Sequence, residues 1–182
     1  MQDPLLRAAR DTDSAGVIAL IGAVFAEYPG CVLDVDLEEP ELRAPASSFE
    51  AFWVLEARAA EGGPGVVVGC VGLGLHGPGD GEERAAGRGA GRQVAELKKL
   101  YLARAHRGRG LGARLVRVVE DEARRRAAGE IELWTDTRFI TAHAVYARLG
   151  YQRTGRQRAL NDLSATIEDH YVKSLSPAPL VE

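Results

Sequence analysis

Residues 94–129, VAELKKLYLARAHRGRGLGARLVRVVEDEARRRAAG, decide the fold. The stretch opens as a strand with a defect. A regular strand alternates faces with a period of two, yet Leu97 has odd parity while Leu100 and Leu102 have even parity. One extra residue near Lys98-Lys99 puts all three leucines on one face. Such a β-bulge bends a strand and often lies beside an active site; uneven burial on both faces is the alternative. RGRGLG at 107–112 reads as a glycine turn. Leu111, Leu115, Val118 and Val119 then continue as a helix that Gly129 ends. Residues 130–134 read as a strand with Ile131 and Leu133 inward. Strand, turn, helix and strand make one βαβ crossover, so this part of the sheet is parallel.

Upstream, residues 4–10 read as a short strand, and Asp11-Thr12-Asp13-Ser14 supply N-cap candidates. Val17, Leu20, Ile21, Val24 and Phe25 recur at helical spacing until Tyr28-Pro29-Gly30 stops the helix. Residues 31–48 read as an acidic loop with one short helix. Residues 49–57 and 65–75 read as strands joined through Glu61-Gly62-Gly63-Pro64. Residues 77–92, GPGDGEERAAGRGAGR, read as a flexible Gly/Arg-rich surface loop. Downstream come a helix at 141–149 closed by Gly150, a pair of strands at 151–157 and 166–173 around an Asn161-Asp162 turn, and a loose tail at 176–182. This order predicts an α/β fold in a single domain over 1–175. Its central sheet is mixed and mostly antiparallel, with six or seven strands, a parallel crossover at the centre and helices on both faces.

Composition excludes several classes. The chain has 182 residues, 46% hydrophobic and 27% charged, which suits one folded domain and not a disordered one. A net charge of −3 argues against a nucleic-acid partner. The longest apolar run, 17–26, is too short to span a bilayer, and no export signal precedes it, so no membrane partner and a cytoplasmic location are expected. Cys31 and Cys70 match no zinc spacing and suit a reducing compartment. His76, His106, His143 and His170 show no metal-ligand spacing and read as surface residues, so no metal is expected.

The glycine turn is where chemistry enters. A helix N-terminus offers unpaired N–H groups and the positive end of a dipole to an anion. At 107–112 two glycines allow close approach, and Arg107 and Arg109 add charge; a pyrophosphate fits. A tight turn that needs glycine for its dihedrals is the plainer reading. No Walker loop exists. Gly72-Leu73-Gly74-Leu75-His76-Gly77 matches a dinucleotide fingerprint literally, but no helix follows it.

On these residues the chain resembles the GNAT superfamily of N-acetyltransferases. Arg107, Gly110 and Gly112 fill the acyl-coenzyme A motif [RQ]xxGx[GA]. TAHAVYARLGY at 141–151 resembles the later family block NxxAxxxYxxxGF, with Thr141 in place of Asn and Tyr151 in place of Phe. The resemblance implies an acetyl-coenzyme A site. The coenzyme's pyrophosphate would sit on the backbone of Arg107, Gly108, Arg109, Gly110, Leu111 and Gly112. Its pantetheine arm would pair with Leu100, Tyr101 and Leu102 in a gap between splayed strands, the Leu102 amide donating to the thioester oxygen. Thr141 would contact the coenzyme arm.

The resemblance also implies catalytic candidates. An amine with a pKa near 10.4 is about 99.9% protonated at pH 7, and deprotonation costs roughly 4 to 5 kcal/mol. Glu96, eleven positions before Arg107, stands where the histone-acetylating branch has its glutamate base; a surface carboxylate paired with Lys98 is the plainer reading. Tyr146 stands at the family's tyrosine and is the expected acid for the departing thiolate; a core tyrosine is the alternative. Asp136 and Arg138 could line the acceptor site, with Asp136 and Thr137 equally suited to a turn. Asp34, Asp36, Glu38 and Glu39 could flank the acceptor mouth or form a solvated loop. The function implied is acetyl transfer from acetyl-coenzyme A to a primary amine, small-molecule or protein, by direct attack in a ternary complex. A non-catalytic acyl-coenzyme A sensor is the rival. Whether the chain forms a homodimer stays open.

Overall fold

A computed structural model describes residues 3–58, 63, 65–76 and 93–175. The loop expected at 77–92, the tail at 176–182 and most of the 61–64 connection lie outside the described residues. The strands are β1 (Leu5–Ala8), β2 (Ala51–Ala57), β3 (Val66–His76), β4 (Val94–Leu102), β5 (Glu130–Asp136), β6 (Gln152–Ala159) and β7 (Ile167–Ser174). They form one sheet in the order β1-β2-β3-β4-β5-β7-β6. Only the β4–β5 pair is parallel, as the crossover requires. The helices are α1 (Ser14–Phe25), α2 (Pro45–Ser48), α3 (Leu111–Arg125) and α4 (Ile140–Arg148).

Helices cover both faces because β3 supplies apolar residues on both. Cys70 packs with Val17, Leu20, Ile21 and Val24 of α1. Its neighbour Val71 points the other way, into Leu111, Leu115, Val116 and Val119 of α3 with Ile131 and Leu133 of β5. Each such Leu, Ile or Val contributes about 1.5–3 kcal/mol on burial. The core therefore clamps β3, β4 and β5 from two sides and fixes the strand ends that build the site.

The defect in β4 is a bulge. Gly72 is paired with Lys98, but Cys70 is already paired with Tyr101, so Lys99 and Leu100 together oppose Val71. Lys99 takes up the extra residue with a left-handed φ of 53°. Leu97, Leu100 and Leu102 all join the α3-side cluster, and Tyr101 joins the α1-side one. The parity shift read from sequence is thus a physical change of face.

The end of α3 differs from expectation. α3 ends before Gly129: Ala127 adopts φ 60°, and the Ala128 amide reaches back to the Ala123 carbonyl (3.0 Å). That is a Schellman closure with alanine at the left-handed position, and Gly129 instead leads into β5. Gly150 does close α4 as expected, with φ 86° and a bond from the Tyr151 amide to the Tyr146 carbonyl (3.1 Å).

Candidate active site

β4 and β5 pair only from Val94 to Glu96 and from Glu130 to Glu132. Beyond Glu96 the bulged strand turns away, and the two strands diverge. Tyr101 faces Cys70 of β3, and the next amide on that side, from Ala103, donates to Val68 (2.9 Å). By alternation Leu100 and Leu102 direct their backbone groups into the gap. The Leu102 carbonyl is taken up there by Arg107 Nε (3.0 Å).

A cavity of about 180 Å³ opens at the divergence. Leu100, Tyr101 and Tyr146 line it, together with Trp134, Asp136 and Phe139. Leu102, Glu96 and Thr141 are not among its lining residues. Counting back seven positions from Tyr146, the Asn of the family block falls at Phe139, which lines the cavity, and not at Thr141, which is exposed on the first turn of α4. Lys99 also faces the cavity, held against Glu39 and 3.3 Å from Glu41. Burial pushes the Glu39 carboxyl above its ordinary range, against the pull of Lys99. Of the four acidic loop residues, Glu38 and Glu39 line the cavity, Asp34 caps its own turn and Asp36 pairs with Arg43.

The turn before α3 has an open backbone, while its arginine side chains are engaged elsewhere in the protein. Gly108 and Gly110 both have φ 75°, which only glycine adopts freely. Gly110 is the N-cap residue and gives no side-chain cap, so the first N–H groups of α3 are left unsatisfied by the side chain that usually serves there. A Cβ at Gly108, Gly110 or Gly112 would meet no atom within 4 Å, so the space over the turn is open. Arg107 and Arg109, expected to add charge at the turn, are each engaged by a carboxylate. Arg107 is bound through two nitrogens to Glu27, in the turn just after α1 (2.8 and 2.7 Å), and Arg109 is bound to Asp3 (2.7 Å). Arg107 therefore clamps the glycine turn to the segment that follows α1 and to the end of β4.

Glu96 sits at the last paired position of β4, at the apex of the gap. It is buried, unlike the surface carboxylate of the plainer reading, although it does contact Lys98 Nζ (2.8 Å). Its second partner is His76 Nε2 at the end of β3 (2.8 Å). Burial raises the Glu96 pKa, but the His76 bond and the Lys98 charge outweigh it and hold the group below its ordinary value. Asp136 caps the turn after β5, as the turn reading expects, and it also lines the cavity. Its carboxylate is fully occupied by Arg138, through the backbone N–H (2.8 Å), Nε (2.9 and 3.0 Å) and Nη2 (2.6 Å).

Tyr146 is buried with its ring against Tyr151 and Tyr171, and burial pushes its pKa well above 10. It keeps its proton at neutral pH. The histidines are not all surface residues. His170 is fully buried between Glu132 (3.0 Å) and Thr154 (3.0 Å), because β7 lies inside the sheet between β5 and β6. His143 ties α4 to the Asp136 carbonyl (3.0 Å) and the Tyr171 hydroxyl (2.8 Å). Among the described residues no group of three His, Cys, Asp or Glu is placed to hold a metal ion. No described helix is long and apolar enough to cross a membrane.

Together these features define a class: an α/β domain with a splayed parallel strand pair and an uncapped glycine turn at its mouth. The chain belongs to the acetyltransferase (GNAT) family, whose model matches residues 20–151. It is 32% identical over 138 residues to the mouse (Mus musculus) probable N-acetyltransferase family 8 member 5, covering 75% of this chain and 53% of that protein. It is 33% identical over 89 residues to streptothricin acetyltransferase of Streptomyces lavendulae, covering 48% of this chain and 46% of that protein. The chain thus spans about half the length of the curated relatives it matches. The fold is that of Arabidopsis thaliana NAA60 in complex with acetyl-CoA, with a TM-score of 0.72 at 12% identity over 94% of this chain and 98% of that one.

Proposed function

We propose that the protein transfers the acetyl group of acetyl-coenzyme A to a primary amine by direct attack in a ternary complex. The observation that carries this reading is the uncapped N-terminus of α3, opening beside the β4–β5 gap. The amides of Leu111, Gly112 and the preceding turn would hold the pyrophosphate, since no side chain caps them and the space beside the three glycines is open. The backbone of Leu100 and the amide of Leu102 would bind the pantetheine arm, the Leu102 amide donating to the thioester oxygen, while the Leu102 carbonyl stays with Arg107. Family membership and the fold of an acetyl-CoA-bound neighbour support the assignment.

Glu96 is the base in this reading. Both of its described partners contact Oε2, so Oε1 stays available to the amine or to one bridging water. Asp136 is a poorer candidate because Arg138 occupies both of its oxygens. Glu96 takes the proton of the incoming ammonium; the free amine then attacks, the N–C bond forms, the C–S bond breaks, and the second N–H proton leaves to solvent. Tyr146 then donates to the leaving sulfur. Its raised pKa makes complete proton transfer uphill, so the hydroxyl acts mainly as a hydrogen-bond donor to the developing thiolate. Most of the rate comes from holding amine and thioester in one geometry and from deprotonation.

Cys31 also lines the cavity, and burial raises its thiol pKa. A thiol kept protonated is a weak nucleophile, which favours direct transfer over an acetyl-cysteine intermediate. Free Cys31 and Cys70 also support a cytoplasmic location. The test is thiol release from acetyl-coenzyme A against a panel of amines, with both concentrations varied. Amine-dependent release with intersecting double-reciprocal lines is expected. Tight acetyl-coenzyme A binding without release for any amine would favour the sensor.

A further inference from the structure

Taking Glu96 as the base, we propose that His76 is its positioning residue: neutral His76 donates Nε2–H to Oε2 and leaves Oε1 for the amine, and a proton gained by His76 turns Glu96 off. The geometry that carries this is the sharing of one oxygen. His76 Nε2 and Lys98 Nζ both lie 2.8 Å from Oε2, and Oε1 has no partner among the described residues. The Glu96 side chain is 9% exposed, whereas His76 is 35% exposed. The base is therefore shielded, and its histidine partner exchanges protons with water.

Proton counting gives the switch. With His76 neutral, the pair holds no titratable proton, and Glu96 accepts one from the amine: an N–H bond breaks and an O–H bond forms at Oε1. The proton passes to solvent after acetyl transfer, and the pair resets. With His76 charged, the pair already holds that proton, and a full imidazolium beside a shielded carboxylate makes Glu96 a weaker base. The described groups that face His76 are Glu96 and Lys98 on β4 and Glu132 on β5. Of these residue types and histidine, only histidine ordinarily changes charge between about pH 5 and 8. The bond to Glu96 raises the His76 pKa, outweighing burial, with Glu132 adding to the rise and Lys98 opposing it. Activity should therefore fall as pH drops through a value above about 6.5.

The test uses His76→Gln, which keeps a donor for Oε2 but cannot titrate, and His76→Leu, which keeps neither. Rates are read as thiol release from acetyl-coenzyme A with whichever of tyramine, spermidine or lysine amide turns over fastest, from about pH 5 to 9. The amine's own ionisation is then common to all variants. The acid limb of kcat should move down by at least one pH unit in His76→Gln. His76→Leu should lose about tenfold on the alkaline plateau, where wild-type His76 is neutral, and Gln should restore most of that loss. An unchanged acid limb in His76→Gln overturns the proposal. Glu96→Gln separates the two readings. If it leaves kcat and its pH profile intact, the base assignment fails and this proposal fails with it. If it slows turnover about 100-fold while His76→Gln keeps the wild-type limb, only the role of His76 falls. A titration of the imidazole resonances by NMR needs no acceptor: the His76 midpoint should drop in Glu96→Gln, and an unmoved midpoint contradicts the contact.

Discussion

Arg107 grips Glu27 through two hydrogen bonds (2.8 and 2.7 Å), which tie the first arginine of the glycine turn to the segment just after α1. The pair is only about a quarter exposed on either side. Removing one partner leaves the other charge partly shielded and unpaired, which costs about 1–2 kcal/mol. Glu27→Ala should lower the melting temperature by about 2–8 °C for a chain of this size. It should also weaken acetyl-coenzyme A binding, because the turn loses its anchor. Thermal unfolding with and without the ligand checks both. An unchanged Tm would show that the clamp contributes nothing.

The glycines of the turn separate strain from ligand contact. Gly110→Val places a β-branched residue at φ 75°, which costs about 1–3 kcal/mol and blocks close approach. Gly112 has ordinary helical dihedrals and open space around it. Gly112→Ala should therefore leave the free protein as stable or raise it by about 0.5–1 kcal/mol, while weakening acetyl-coenzyme A at least tenfold. Calorimetric titration of both variants decides this. Full affinity in Gly112→Ala would move the pyrophosphate away from the α3 terminus.

Tyr146→Phe should lower kcat roughly 10- to 10³-fold and leave the affinity for acetyl-coenzyme A nearly unchanged. Its hydroxyl acts as the thiolate departs, so its contribution belongs to the transition state. The ring survives in Phe, so its packing against Tyr151 and Tyr171 should hold. Normal turnover with a lower Tm would make Tyr146 a core residue only.

Acid stability should depend on Asp13. Its carboxyl is held below the ordinary value by hydrogen bonds from Arg7, against the pull of burial. A depressed folded-state pKa contributes stability that is fully present above about pH 4 and is lost as pH falls through the folded value. Asp13→Asn should therefore lower Tm at neutral pH and flatten the decline of Tm below about pH 4. A decline as steep as in the wild type would assign the acid dependence to other carboxylates.

The element order, the parallel crossover and the bulge were legible in the sequence, because each is written in local spacing: leucine parity across Lys98-Lys99, glycines before Leu111, a glycine after Leu149. The partners of the site residues were not. Glu27 is 80 positions from Arg107, and His76 is 20 positions from Glu96. Both contacts depend on how the strands are ordered, which local spacing does not state. His170 was misread as a surface residue for the same reason. Its strand lies between β5 and β6, so a polar residue there is buried and must find partners in Glu132 and Thr154.

The central claim is direct acetyl transfer from acetyl-coenzyme A to an amine held in the β4–β5 gap. The most direct measurement is a single-turnover reaction, with enzyme in excess of acetyl-coenzyme A and an active amine, quenched and read by mass spectrometry of both protein and small molecules. The account predicts acetylated amine and free coenzyme A thiol forming at one rate, with no acetyl group on the protein at any time. An acetyl adduct on Cys31 that rises and then decays as product forms, or acetyl-coenzyme A that stays bound and intact with every amine, would contradict it.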